Sequence, residues 1–254
     1  MTLAEVLENS NRIVFFGGAG VSTESNIPDF RSASGLYSEA NRPKYPYPAE
    51  TMLSHSFFVS HPKEFFNFYF NEMVYQDAVP NDAHRVLADL EKMGKLSAVV
   101  TQNIDGLHQK AGSVNVLELH GSVLRNFCTK CGKPFTLEQT IALRDKDGVP
   151  RCDVDQSIIK PDVVLYEEPL DQNVLQRAIY EISQADCMIV GGTSLNVYPA
   201  AGLLNYFDGK YLILINKEST PWDSRADLVF HDSIGKVLHA AYQDMLKMEE
   251  AKKK

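Results

Sequence analysis

Three clusters of residues in this chain have types and spacings that could do chemistry. The first is Gly17, Gly18, Ala19 and Gly20, which follow the apolar run Ile13-Val14-Phe15-Phe16. Small residues where a strand meets a helix let a backbone approach phosphate, and the N–H groups of the next turn meet its negative charge. In a G-x-G-x-x-G reading from Gly18, the third glycine position holds Thr23. That departs from the loop of hydride-transferring dehydrogenases, and a hydroxyl there suits a turn needing a polar contact. Taken alone, the glycines fit a plain tight turn equally well.

The second cluster lies downstream. Gln102-Asn103-Ile104-Asp105 follows the apolar run Leu96–Val100, where open α/β sheets put their ligands. A helix cap at Asn103 or Asp105 is the alternative. A histidine with an ordinary pKa near 6.5 suits base work at neutral pH, but a lone histidine is more often structural. His84, inside a helical stretch after Asn81, is read as structural. His108 and His120 both lie near strand ends, and spacing alone does not separate them. His120 ends the run Val116–His120 and precedes Gly121, so its ring should face the crevice.

The third cluster is Cys128-x-x-Cys131, followed later by Cys152 and Asp155. Two C-x-x-C pairs would signal structural zinc; here the fourth position is an aspartate. Either Asp155 supplies a carboxylate ligand, or the site is degenerate. Cys187 begins a buried strand and is no ready substitute. Three thiolates leave little room for an activated water, so any role is structural. A nucleic-acid-reading ribbon is disfavoured by the acidic composition and the lack of a nearby basic cluster.

The elements that must position these residues alternate. Apolar runs at 13–17, 96–103, 116–121, 162–168, 187–194 and 211–216 read as strands, and their apolar residues run together as in a parallel sheet covered on both faces. Helical patterns lie at 2–10 (a Thr2/Glu5 capping box), at 81–95 with an Asn/Asp start and a Gly94 stop, at 171–184 with a cap at Asp171, at 198–207 and at 233–246. The expected fold is α/β, a Rossmann-like doubly wound parallel sheet. Two stretches interrupt the alternation, the proline- and aromatic-rich 32–80 and the cysteine-bearing 123–160. They are expected to build a smaller inserted domain containing a zinc-ribbon-like module. The large domain then comprises about 1–31, 81–122 and 161–254.

The chain has 254 residues and a net charge of −8. A sequence-independent nucleic-acid binder would be basic, so no nucleic-acid partner is expected. No secretory signal and no apolar run near eighteen residues is visible, so the expectation is a cytoplasmic protein with no membrane partner. Four cysteines in so long a chain do not form a disulfide scaffold.

The segment GAGVSTESNIPDFRS (18–32) resembles the first signature of the sirtuins, the NAD-dependent protein-lysine deacylases. TQNIDGLHQKAG, ELHGS, KPDVVLYEEPL, GTSLNVYPA, INKESTPWD and ADLVF follow in the family's order, from about residue 10 to 240. Asn26 stands where the family most often has glycine, a substitution Asn tolerates because it also adopts positive φ. The resemblance implies cleavage of the nicotinamide–ribose bond and transfer of the acetyl group from lysine to ADP-ribose. It implies that Gly18, Ala19, Gly20 and Thr23 hold NAD, that Phe30 shields the reactive ribose carbon, and that Arg31 meets polar cofactor groups. It gives Asp105 the nicotinamide amide, Ile104 the ring, and Asn103 the ribose or an ordered water, with Gln102 beside them. It selects His120 over His108 as the base. Thr193 and Ser194 would contact phosphate or ribose, and Asn216 the adenosine ribose.

Acetylated protein substrates would enter as an added β-strand between the 162–168 and 192–200 segments. Glu167 and Glu168 would lie on one side and Asn196, Val197 and Tyr198 on the other, with Val164 and Tyr166 near the acyl-lysine tunnel. The family usually has Phe-Gly-Glu where this chain has Tyr166-Glu167-Glu168, which alters the loop. No Tyr-x-x-Arg pair that would hold an acyl carboxylate occurs between Ala49 and Tyr75, so an uncharged acyl group is expected, acetyl first. The implied cofactors are NAD and a structural zinc on Cys128, Cys131, Cys152 and Asp155. The chain is expected to act as a monomer. ADP-ribosyl transfer and a catalytically idle NAD-binding module are the competing readings.

Overall fold

A computed structural model describes residues 1–30, 35 and 44–252. In chain order the strands are β1 (Ile13–Gly17), β2 (Leu96–Thr101), β3 (Val116–Glu118), β4 (Gly121–Cys128), β5 (Pro134–Thr136), β6 (Ile159–Val163), β7 (Cys187–Gly191), β8 (Tyr211–Ile215) and β9 (Leu228–Phe230). The helices are α1 (Leu3–Asn9), α2 (Ala49–Met52), α3 (His55–Ser60), α4 (Pro62–Glu72), α5 (Asp82–Lys92), α6 (Leu107–Ala111), α7 (Leu137–Ala142), α8 (Gln172–Ser183) and α9 (Ile234–Lys252).

Six strands form one sheet in the order β3-β2-β1-β7-β8-β9, every neighbouring pair parallel. The chain order runs outward from β1 in one direction and outward from β7 in the other. The strand order therefore reverses between β1 and β7, and such a switch point opens a crevice beyond the C-terminal strand ends. Alternation along β1 sends side chains to both faces. Ile13 and Phe15 join a core with α1, α5 and α9, while Val14 and Phe16 join one with α8 and the 3-10 turn Ala200–Tyr206. Burial on both faces explains why these strands read as unbroken apolar runs.

The helix ends follow the sequence signals. Thr2 and Glu5 exchange both bonds of a capping box. Asp171 accepts from Asn173 N and Val174 N at the start of α8, and Gly94 sits at φ 74° after α5. Asn81 caps α5 through Ala83 N, while its Nδ2 donates to Val21 O at 2.8 Å and Ser25 Oγ at 3.0 Å. This cap also ties the helix to the glycine loop. His84 Nδ1 accepts the Asn81 N–H within the same cap, consistent with a structural role.

One expected element lies elsewhere. The 162–168 run is not a strand of the parallel sheet. Residues 159–163 form β6, antiparallel to β4 in a separate sheet ordered β5-β4-β6. Burial along β6 alternates, with Ile159, Pro161 and Val163 in and Lys160 and Asp162 half-out, which is the pattern of a sheet covered on one face. The apolar cluster Val163, Val164, Leu165 masked that period. Residues 164–168 continue as a loop that bridges to Ser54. The stretch 198–207 forms a 3-10 rather than an α-helix.

The smaller sheet packs two satellite cores. Met52, Phe57, Phe58, Phe65, Phe66, Phe68 and Tyr69 of α2–α4 meet Val123, Val163 and Leu165 in one. Cys128, Phe135, Cys152 and Ile159 form the other.

Candidate active site at the sheet switch point

Two glycine turns interlock where β1 and β7 end. Gly18 N donates to Gly191 O at 3.2 Å and Gly20 N to Gly192 O at 2.8 Å. A Cβ on Gly20 would stand 2.7 Å from Gly192 Cα, and Gly192 itself has φ 60°. Side chains cannot fit between these backbones, so the crevice floor is bare main chain, as a bound pyrophosphate requires. Two 3-10 turns follow, Ala19–Val21 and Thr23–Ser25. The Thr23 hydroxyl donates to Gly20 O at 3.0 Å, the polar contact its sequence position suggests. Asn26 lies at φ 62°, in the left-handed region.

The segment after β2 faces this loop. Asn103 Nδ2 donates to Ser22 Oγ at 3.1 Å, and Ser22 Oγ donates to Asp105 Oδ2 at 2.6 Å. Asp105 also accepts the Leu107 N–H at 2.9 Å. Burial pushes the Asp105 carboxyl above its usual range, and the Ser22 and Leu107 bonds oppose that. Ile104 and Phe30 each pack against the edge of the aromatic core. Gln102 Nε2 donates to Thr193 Oγ1 at 3.2 Å, joining the β2 and β7 ends.

His120 follows β3. Its Nδ1 is 3.0 Å from Gln102 O. A carbonyl only accepts, so Nδ1 carries the proton and Nε2 presents a lone pair. Burial pushes the His120 pKa below its ordinary value, against the Gln102 bond, which raises it. The ring is therefore neutral at pH 7 with a free basic nitrogen. His108 differs. It is fully buried under Phe15 and His84, away from the crevice, with neither ring nitrogen hydrogen-bonded among the described residues.

Val164 N donates to His120 O at 3.0 Å, tying the loop after β6 to the histidine. Tyr166 is exposed and Glu168 half-buried on that loop; Asn196 and Val197 stand on the loop after β7, exposed and half-buried. Ser194 is half-buried beside Thr193. Asn216, just past β8, spends its amide on Glu218 O at 2.8 Å, leaving its oxygen available. Arg31 lies outside the described residues. Ser22, buried between Asn103 and Asp105, was not singled out from sequence; nothing local marks it among Ser22, Thr23, Glu24 and Ser25.

The cysteine cluster fits a metal. Zinc with Zn–S of about 2.3 Å and Zn–O of about 2.0 Å sets tetrahedral edges of about 3.8 Å for S···S and about 3.5 Å for S···O. Cys131 and Cys152 sulfurs are 3.7 Å apart, and Cys128 Sγ lies 3.4 Å from Asp155 Oδ1. All four ligand atoms lie within 4.8 Å of one another. Backbone N–H groups of Lys130, Cys131 and Val154 point at the Cys128 and Cys152 sulfurs at 3.4 Å, which favours thiolates. Asp155 lies close enough to the three sulfurs to supply a fourth ligand.

A family model described as the Sir2 family matches residues 18–199. The chain is 62% identical over 237 residues to an NAD-dependent protein deacetylase of Clostridium perfringens, covering 93% of this chain and 95% of that one. It is 44% identical to an NAD-dependent protein deacetylase of Staphylococcus aureus, covering 93% and 95%. Among solved structures, a Sir2 complex with p53 peptide and NAD+ aligns with TM-score 0.83 at 39% identity, over 94% of this chain and 95% of that one. A Sir2 variant with deacetylated p53 peptide and 3'-O-acetyl ADP-ribose aligns with TM-score 0.86 at 39% identity, over 96% and 98%.

Proposed function

The chain belongs to the Sir2 family, and we propose that its reaction is carried by His120 at the rim of the β1/β7 crevice. The protein is an NAD-dependent protein deacetylase: the acetyl group of an acetylated lysine passes to ADP-ribose, with release of nicotinamide and O-acetyl-ADP-ribose. NAD supplies the glycosidic bond whose cleavage drives the transfer.

The observation that carries the assignment is the orientation of His120. With Nδ1–H fixed on Gln102 O, Nε2 takes the proton of a cofactor ribose hydroxyl. Asn103, whose amide N is held by Ser22, keeps its oxygen to orient the ribose or a water. The Asp105 carboxylate accepts from the nicotinamide amide, with Ile104 against the ring. Gly18, Ala19, Gly20, Thr23, Thr193 and Ser194 hold the pyrophosphate and ribose, Gln102 braces Thr193, and Asn216 takes the adenosine ribose. Phe30, at the edge of the same aromatic core as Ile104, excludes water, and Arg31 assists at the cofactor.

Acetylated peptide adds as a strand between Val164, Tyr166 and Glu168 on one side and Asn196 and Val197 on the other. The acyl group is uncharged, acetyl first. A structural zinc is held by Cys128, Cys131, Cys152 and Asp155. The two cores flanking the parallel sheet support a large unit (about 1–31, 81–122, 161–254), and the aromatic and cysteine cores a small one (32–80, 123–160) that also takes Val163 and Leu165 into its core. We place the enzyme in the cytoplasm as a monomer without nucleic-acid or membrane partners. Its net charge is −8, and among the described residues no helix is long and apolar enough to cross a membrane.

Mass spectrometry of products from NAD and an acetyl-lysine peptide tests this reading. Wild type should yield free-lysine peptide and O-acetyl-ADP-ribose. His120→Ala should cut that product by roughly 10²–10⁴-fold, the usual worth of a positioned general base, while remaining folded. NAD consumption with the acetyl group intact would instead indicate ADP-ribosyl transfer or hydrolysis, and activity within a few fold of wild type would remove His120 as the base.

A further inference from the structure

The loop after β6 carries Glu167 where the family usually has glycine. Glu167 sits at φ 76°, a left-handed conformation that glycine adopts freely and residues with a Cβ resist. Here the side chain is anchored. Its carboxylate accepts the Ser56 N–H and the Ser56 O–H, both at 2.9 Å. The backbone is stitched to the same element: Tyr166 N donates to Leu53 O and His55 N to Tyr166 O, each at 3.0 Å. Glu168 adds His55 Nδ1 at 2.8 Å and Lys160 Nζ at 3.1 Å. Residues 166–168 are thus fastened from one side to residues 53–56.

The other side is different. The Glu167 backbone N–H and C=O make no hydrogen bond among the described residues. Glu168 N donates to Leu165 O at 3.0 Å across this turn, so the unpaired backbone groups of Glu167, held between pinned neighbours, are what the loop can offer an incoming backbone. Because the Glu167 carboxylate is bound by Ser56, it does not compete for those backbone groups.

We propose that Glu167 is a positioning residue for the peptide substrate: clasped on Ser56, it holds the unpaired Glu167 backbone groups of the 165–168 turn ready for an extended acyl-lysine peptide. The proposal rests on the reading that peptide lies between residues 164–168 and 194–198. Glu167 touches no reacting atom. It acts by removing the ordering that a loose loop would undergo when peptide binds, and preorganisation of that kind appears in affinity rather than in turnover.

Steady-state kinetics on the zinc-loaded enzyme, varying acetyl-lysine peptide and NAD separately, test this. Glu167→Gly should raise the peptide KM by roughly three- to tenfold, the scale of ordering one loop side chain and its backbone. The kcat and the KM for NAD should stay within about twofold, since neither depends on how this turn meets the peptide. Glu167→Gln keeps one acceptor oxygen and should restore most of the peptide affinity. Ser56→Ala should raise the peptide KM as Glu167→Gly does, and the double variant should do no worse than either, because both remove one interaction.

An unchanged peptide KM in Glu167→Gly, equal changes in both KM values, or additive effects with Ser56→Ala would overturn the proposal. Asn196→Pro, which removes an N–H from the facing loop, separates the causes. If it raises the peptide KM while Glu167→Gly does not, the seat stands and Glu167 has no part in it. If neither moves the peptide KM, the seat itself is misplaced. Thermal melts establish that each variant is folded.

Discussion

Ser22 holds Asn103 and Asp105 in register with one hydroxyl, accepting from the first and donating to the second. Removing it orphans a buried amide and takes from Asp105 a bond that keeps its carboxyl from rising further. Hydrogen bonds to charged groups contribute about 1.5–3 kcal/mol. Ser22→Ala should therefore lower kcat/KM for NAD by roughly ten- to a hundredfold. Asp105 should also protonate at higher pH, moving the acidic loss of activity upward. Initial rates with NAD varied across pH check both effects, and a change under twofold would remove Ser22 from the site. Legibility at this scale depends on distance along the chain. Asn26 was readable because its positive φ is a local property. Ser22 was not, because what distinguishes it from Ser25 is contact with a segment beyond β2.

The elements repeat that contrast. Helices with local caps, such as α5 after Asn81 and α8 after Asp171, fall where their signals place them. Five of the six parallel strands were legible from their apolar runs; the three-residue, half-exposed β9 was not, and nor was β6, since Val163, Val164 and Leu165 span its end and the loop beyond. The two turns bearing Cys128, Cys131, Cys152 and Asp155 form a unit at the end of β4. Its small core of Cys128, Phe135, Cys152 and Ile159 is too slight to hold 129–158 alone. A metal clamp is what such modules need, and metal binding then becomes folding energy. Asp155→Ala should lose zinc to a competing chelator far faster than wild type and lower the melting temperature by about 5–10 °C. Asp155→Cys should hold zinc at least as tightly as wild type. Elemental analysis after timed chelation decides, and equal retention by wild type and Asp155→Ala would take Asp155 out of the ligand set.

At the scale of the whole molecule, α5 and α6 close over β1 with two imidazoles inside the layer. The His84 and His108 rings meet at 4.7 Å, and His108 lies 6.1 Å from Phe15. Burial holds both neutral, pushing His84 down to about 4 and His108 well below its ordinary value. In the unfolded chain each titrates near 6.5, so below that pH the unfolded state binds more protons and stability falls. By pH 4 His84 alone should cost on the order of 3 kcal/mol, with His108 adding to it. An opposing effect exists, because the net charge of −8 shrinks as pH falls toward the pI of about 5.4, easing self-repulsion. Those charges are mostly exposed and screened over about 8 Å at physiological salt, whereas the two rings have no water to screen them, so the histidines should prevail. The melting temperature should therefore decline between pH 7 and 5, before most carboxylates titrate. His108→Gln, whatever its cost at pH 7, should show a shallower decline. Calorimetry across that range decides: a flat wild-type profile, or an equal slope in the variant, would show that the pair does not govern acid stability.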